Sequence, residues 1–206
     1  MAHPSAGSDQ DRVVRRGVFG GTFDPPHVGH VALTRQLQES GAVDEILWIP
    51  ARIPPHKPVD RLSSSELRME MARAATEGRT CQRVSDIELL REGPSYTVDT
   101  LRALRSECPE ATHVLVVGSD QFVDLADWHE AEEVVRLAEV CVLPRGGVDL
   151  ATVVPRLDVV WSVGQVPALN VSSSEVRKLV RDGHPYRHLV PPGVADIIER
   201  ERLYIE

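Results

Sequence analysis

Cysteine is scarce in this sequence: Cys81, Cys108 and Cys141 lie far apart, with no C-x-x-C pair among them. That excludes a disulfide framework and a cysteine zinc cage, and points to three reduced thiols. Long apolar runs are missing as well. No uninterrupted apolar segment approaches the ~18 residues of a membrane helix, and the opening MAHPSAGSDQDR has no apolar core of the kind found in a signal peptide. The expectation is a cytoplasmic protein that does not engage a membrane. Positive charge is in deficit, with 23 basic residues against 31 acidic ones and a net charge of −8. Such a field repels phosphate backbones, which argues against a general nucleic-acid binder, so any anionic ligand must be held by a local site.

What is present is an ordinary globular composition, 42% apolar and 26% charged, over 206 residues. That length suits one domain with a substantial core. Residues 1–12 read as a disordered tail and 13–206 as the domain, with a four-proline loop at ARIPPHKPVDR, 51–61. Apolar runs alternate with helical patterns: VVRRGVF, then 28–40; EILWIP, then 63–77; CQRVSDIEL, then 96–106; THVLVVG, then 120–138; then EVCVLP and DVVWSV. Strand followed by helix, repeated, implies crossover units and a parallel sheet covered on both faces. The fold class is α/β, a doubly wound parallel sheet in a single domain.

The stretch GVFGGTFDPPHVGH, 17–30, concentrates special residues behind the first apolar run. Gly20 and Gly21 permit a tight turn and let backbone amides approach a ligand. Pro25 and Pro26 stiffen the start of the next helix. With a helix beginning near Pro26, His27 and His30 project from its first turn, flanking an N-terminus that favours an anion. Gly29 would leave room for a ligand against the helix. The pair could instead ligate zinc with Asp24 as a third group, although paired histidines on one helix are more usually spaced by four. A purely structural turn is a further alternative. Neither G-x-x-x-x-G-K-[ST] nor G-x-G-x-x-G occurs, so the two commonest phosphate loops are absent.

GGTFDPPHVGH resembles the signature G-G-[ST]-F-D-P-x-H-x-G-H of the H-x-G-H nucleotidyltransferase superfamily. Four further segments, WIPARIPPHKP, GPSYTVDTL, GSDQFVDLADW and VSSSEVR, resemble those of the bacterial nicotinate-nucleotide adenylyltransferase family in the same order. The resemblance implies a Rossmann-like nucleotidyltransferase fold. It also implies transfer of the adenylyl group of ATP to nicotinate mononucleotide, giving nicotinic acid adenine dinucleotide and pyrophosphate, in NAD biosynthesis. Mg²⁺ would be held mainly by ATP phosphates, since no cluster of carboxylates announces a cage. Partners would be ATP and nicotinate mononucleotide, with no nucleic acid and no membrane; a homo-oligomer is left open.

By that resemblance His27, His30 and Arg177 are the catalytic set. Gly20, Gly21, Thr22, Phe23, Gly118, Asp120, Ser173 and Ser174 would bind ATP; Lys57, Tyr96, Thr97 and Trp128 would bind the mononucleotide. Each has a reading from the residues too. Lys57 follows two prolines and a histidine and can act as a point charge on phosphate. Gly93, Pro94 and Ser95 mark a turn that leaves the Tyr96 and Thr97 amides at a helix N-terminus, suited to a carboxylate. Asp120 follows a strand and could accept from ribose hydroxyls or simply cap the next helix. Trp128 could be packed or could stack on a pyridine ring.

LSSSELR, 62–68, and VSSSEVR, 171–177, both fit a capping box, with Ser63 or Ser172 as cap and Glu66 or Glu175 reaching back. The first heads an amphipathic helix stopped by Gly78 and reads as structural. The second follows the apolar VPALNV, read as a strand, and is the copy the family resemblance assigns to phosphate. Two departures from the family pattern stand out: Ser174 where threonine is common, and a scrambled order in LPRGG, 143–147, which leaves Arg145 without a role. The rival phosphopantetheine adenylyltransferases are typically shorter and lack the PSYT and Trp128 features. A class I synthetase would need a tRNA-binding domain and a K-M-S-K-S loop. A catalytically silent nucleotide sensor is opposed by intact His27, His30 and Arg177.

Overall fold

The structure, a computed structural model, describes residues 13–54, 62–144, 149–164 and 171–205. Lys57, Arg145, the expected tail and most of VPALNV lie outside the described residues. Among the described residues, six parallel strands form one sheet: β1 (Arg15–Gly21), β2 (Glu45–Pro50), β3 (Gln82–Val84), β4 (Thr112–Gly118), β5 (Glu139–Leu143) and β6 (Trp161–Val163). Their spatial order is β3-β2-β1-β4-β5-β6, the doubly wound order.

Helices cover both faces, which is why the central strands are apolar at nearly every position rather than at alternate ones. Successive side chains point opposite ways. Phe19, Val114, Val116 and Cys141 pack with Leu37 of α1 (Val28–Glu39), Met71 of α2 (Ser65–Thr76), Val176 of α6 (Ser173–Arg181) and Val194 of α7 (Pro192–Arg200). Their neighbours Val18, Leu115, Val117 and Val140 pack on the other face with α3 (Thr97–Glu107), α4 (Ser119–Val123) and α5 (Ala131–Leu137). An isolated helix of α3's 11 residues is marginal in water. Buried Val98, Leu101 and Leu104 hold it, each contributing roughly 1.5–3 kcal/mol.

Three expectations shift. The run CQRVSDIEL yields only the short β3, because Ser85 Oγ accepts the Ile87 N–H and Asp86 O accepts from Leu89, bending the chain off the sheet. The predicted helix 120–138 is broken into α4, a 3-10 turn at Leu125–Asp127, and α5. Trp128 is extended there, and Glu130 is left-handed at φ +50°, its carboxylate bonded to Arg102 at 3.1 Å. The cap of α2 is Ser64, accepting from Leu67 N, rather than Ser63. Gly78 and Gly183, both left-handed at φ +69°, end α2 and α6 as their sequences suggest.

Candidate active site

β1 and β4 are neighbours whose following strands lie on opposite sides, so the crevice at their C-terminal ends is the topological switch point. Gly20 and Gly21 end β1 there, and Gly118 ends β4. A Cβ at Gly20 would meet no atom within 4 Å, so the backbone is open on that side. Gly21 is glycine for a different reason: a Cβ would come within 2.9 Å of the Phe23 ring. Phe23, left-handed at φ +50°, is buried against Phe19, Trp48 and His30, with ring centroids 5.1 to 5.4 Å away. Its ring is therefore removed from any nucleotide, and a contact from Phe23 can come only through its backbone.

His27 is the N-cap of α1, one position before the helix, rather than part of its first turn. Its backbone N–H donates to His30 Nδ1 at 3.2 Å, and the two rings stack with centroids 3.6 Å apart. His27 is buried and His30 half-buried. With Nδ1 of His30 accepting, a neutral ring carries its proton on Nε2, which becomes the imidazole donor. Gly29 was expected from sequence to leave room for a ligand, and it does not: protein atoms occupy that side. A Cβ there would lie 2.9 Å from Val171 Cγ1 and 3.0 Å from His27 Nδ1, so its bareness lets α1 close against the segment leading into α6.

That closure brings the serine-headed helix to the opening loop. Ser172 caps α6, accepting from Glu175 N at 3.1 Å. The Ser173 hydroxyl donates to Pro25 O at 2.9 Å. Arg177 donates to Asp24 O at 2.6 Å and to Ser174 Oγ at 3.2 Å. The proton of the Ser173 hydroxyl is thus committed to the loop, and what α6 offers an anion is the first-turn amides of Ser173 and Ser174 together with the Ser174 hydroxyl, which accepts from Arg177 and keeps its own proton to donate. The first S-S-S-E copy behaves likewise. Arg68, at the position matching Arg177, is buried and donates to Thr22 O at 3.0 Å, and to the carbonyls of Ala51, Arg52 and Ser63. Its segment therefore reaches the site and is more than a helix cap. The carbonyls of Thr22, Asp24 and Pro25 all accept from protein donors, which turns the loop's negative ends into the protein.

At the other side of the crevice, Tyr96 is the N-cap of α3. Its own N–H donates to Pro94 O at 3.0 Å, while Thr97, the first helical residue, presents an amide outside the helix's own carbonyls, as the first turn of a helix does. Tyr96 packs on His129 with the rings tilted by 31° and their centroids 4.2 Å apart, which draws the break carrying half-buried Trp128 to this helix end. Ser95 Oγ accepts from the N–H groups of Arg52 and Ile53 at 3.0 and 3.3 Å, joining α3 to the chain after β2. Beneath them Glu88 is buried and accepts from Thr100 Oγ1 at 2.7 Å. Burial pushes its carboxyl above the usual range, opposed by bonds from Thr100 and Ser95. Asp120 is exposed beside the end of β4 and is not a cap, since Gly118 holds that position.

Residues 18–179 match the family model described as cytidylyltransferase-like. A probable nicotinate-nucleotide adenylyltransferase of Geobacillus thermodenitrificans is 38% identical over 91% of this chain and 85% of its own length. The chain belongs to the nicotinate-nucleotide adenylyltransferase family. A second such relative, from Salinibacter ruber, is 37% identical over 91% of this chain and 96% of its own. Among solved structures, a Plasmodium falciparum nicotinic acid mononucleotide adenylyltransferase complexed with NaAD shares the fold, with TM-score 0.76 at 22% identity, covering 93% of this chain and 97% of that one. The protein is thus an enzyme that transfers an adenylyl group to a pyridine mononucleotide. Among the described residues no helix is long and apolar enough to cross a membrane.

Sequence reasoning missed several residues that shape this adenylyltransferase site. Arg68 had a signal, the echo between the two S-S-S-E segments. Glu88, His129 and Tyr204 had none, because each acts through a contact between distant parts of the chain. Asp24 was considered only as a zinc ligand, whereas its carboxylate accepts from Tyr204 Oη at 2.6 Å and from Ser63 N at 3.3 Å. No group of three histidine, cysteine or acidic residues able to hold a metal occurs among the described residues. The donors gathered here are amides, imidazoles and a guanidinium, which suit anions.

Proposed function

We propose that the enzyme adenylylates nicotinate mononucleotide in preference to its amide, giving nicotinic acid adenine dinucleotide and pyrophosphate. The observation that carries this reading is the N-terminus of α3, presented at the crevice between Tyr96–His129 and the Trp128 break. A helix N-terminus favours a carboxylate through its dipole and its amide, here that of Thr97. A carboxamide would lose the charge-assisted part of that contact. Trp128 would stack on the pyridine ring, and Lys57 would neutralise the mononucleotide phosphate.

ATP would lie across the switch point, its ribose toward Gly118 and Asp120 and its phosphates between the α1 and α6 N-termini. The nucleophile, a phosphate oxygen of the mononucleotide, is already anionic at neutral pH and needs no general base. It attacks the α-phosphorus in line, displacing pyrophosphate. The protein's work is alignment and neutralisation of charge developing on the leaving group. His30, through Nε2–H, supports the α-phosphate; His27 and Arg177 hold the reacting end; the Ser173 and Ser174 amides take the departing phosphates. The site's donors fit a Mg²⁺ ion carried by ATP oxygens and water rather than by the chain. When bound, that ion would supply further charge neutralisation.

Initial rates of pyrophosphate release with nicotinate and nicotinamide mononucleotides test the reading. A clear preference for the acid is expected. Equal rates would remove the role given to the α3 N-terminus.

A further inference from the structure

The carboxylate of Asp24 is 1% exposed and has no part in the phosphate chemistry above, yet it gathers three distant segments. Tyr204, in the turn after α7, donates its hydroxyl to Asp24 Oδ1 at 2.6 Å across 180 residues of sequence. Ser63, ahead of α2, donates its N–H to Oδ2 at 3.3 Å and its hydroxyl to Tyr204 Oη at 3.4 Å. Arg177 holds the Asp24 carbonyl. We propose that Tyr204 is a positioning residue for adenylyl transfer: bonded to Asp24, it locks the loop that aims His27 and His30 at the phosphates.

The backbone supports this. After α7 the chain is left-handed at both Arg202, φ +52°, and Tyr204, φ +65°. Side chains with a Cβ rarely adopt that region, and strain of this kind persists only where surrounding contacts over-determine it. Here the turn delivers one phenol to one buried carboxylate. Burial and the Asp24 carboxylate raise the Tyr204 phenol's affinity for its proton, so it remains a donor across the working pH range. Asp24 lies three residues before His27, with Pro25 and Pro26 between them, so the rigid link transmits any shift of the carboxylate to the α1 cap. A misplacement of about 1 Å in such a site costs on the order of 10²-fold in rate.

The proposal rests on adenylyl transfer at this crevice, and its test is separable from the choice of substrate. Full-length wild type and Tyr204→Phe are compared by pyrophosphate release, using whichever pyridine mononucleotide the wild type accepts, well below both melting temperatures. The expected result is a kcat lowered by about 10- to 100-fold, with the mononucleotide KM unchanged because the bonds joining Asp24, Tyr204 and Ser63 include no residue of α3. Val194→Ala, in the core face of α7, supplies a comparably destabilised enzyme whose kcat should stay at the wild-type level. Adding Tyr204→Phe to Asp24→Ala should cost little beyond the single change, because both act through one bond. A Tyr204→Phe kcat within twofold of wild type, a kcat loss matched by Val194→Ala, or fully additive losses would overturn the proposal. If Tyr204→Phe does not fold, Ser63→Ala removes the hydroxyl that lies beside the phenol and should lower kcat several-fold; an unchanged kcat there overturns it equally.

Discussion

Because His30 Nδ1 accepts the His27 N–H, and the two rings lie 3.6 Å apart, neither imidazole can be understood alone. Replacing His27 removes the surface on which His30 rests as well as one donor. The helix itself should survive, since its first bonds run to the backbone carbonyl of His27, from His30 N at 3.0 Å and Val31 N at 3.3 Å. We therefore expect His27→Ala to keep its far-ultraviolet circular dichroism and lose about 10²–10³ in turnover, the usual cost of a preorganised donor. Near-normal turnover would mean the histidine is a packed residue of the turn and nothing more. Local chemistry singled out this pair, but not their stacking or the burial of His27, which exist only in the folded loop.

At the scale of elements, the glycines of the opening segment divide by what surrounds them. Gly29 is the contact point between α1 and the approach to α6, and a Cβ there meets Val171 and His27 at or below 3.0 Å. Gly20 faces open space. Gly29→Ala should therefore lower the melting temperature and the rate together, by prising the two helix N-termini apart. Gly20→Ala should leave the melting temperature unchanged and raise the KM for ATP, since only a ligand would meet the new methyl group. Thermal melts beside ATP titrations distinguish the two, and the reverse pattern would reject this assignment. The sequence motif marks all these glycines alike. Which of them serves packing and which serves ligand approach is a property of neighbouring elements.

For the molecule as a whole, His113 on β4 couples stability to pH. It is 2% exposed, and neither ring nitrogen has a hydrogen-bond partner among the described residues. Burial, reinforced by Arg16 and Arg105, lowers its affinity for a proton below that of an ordinary histidine. The unfolded chain then binds a proton near pH 6.5 that the folded chain refuses. Stability from this residue is complete above that pH and is lost as pH falls toward the folded value, with a slope of at most about 1.4 kcal/mol per pH unit. Glu88, with its raised carboxyl, acts in the opposite sense, so the informative quantity is the difference between wild type and His113→Leu. Denaturant unfolding from pH 7.5 down to 5.5, roughly the range of histidine titration, should show a flatter decline in the variant. Parallel curves would show that His113 takes up its proton without unfolding.

The alternation of apolar runs with helical patterns determined the parallel, doubly wound sheet, because strands buried on both faces need a nearly continuous apolar sequence. The long G-G-T-F-D-P-P-H-V-G-H signature determined the family, because it combines a bend, two imidazoles and a helix start in one uninterrupted piece of chain. Local sequence could carry those two conclusions since their physics is local. Tertiary structure alone decided the rest. It set the break that carries Trp128, where Glu130 turns left-handed against Arg102. It set the twin grip of Arg68 and Arg177 on the carbonyls of one loop. It also joined Asp24 to Tyr204, 180 residues apart, and no periodicity or spacing encodes such a pair because the contact exists only once the sheet has brought both ends of the chain together.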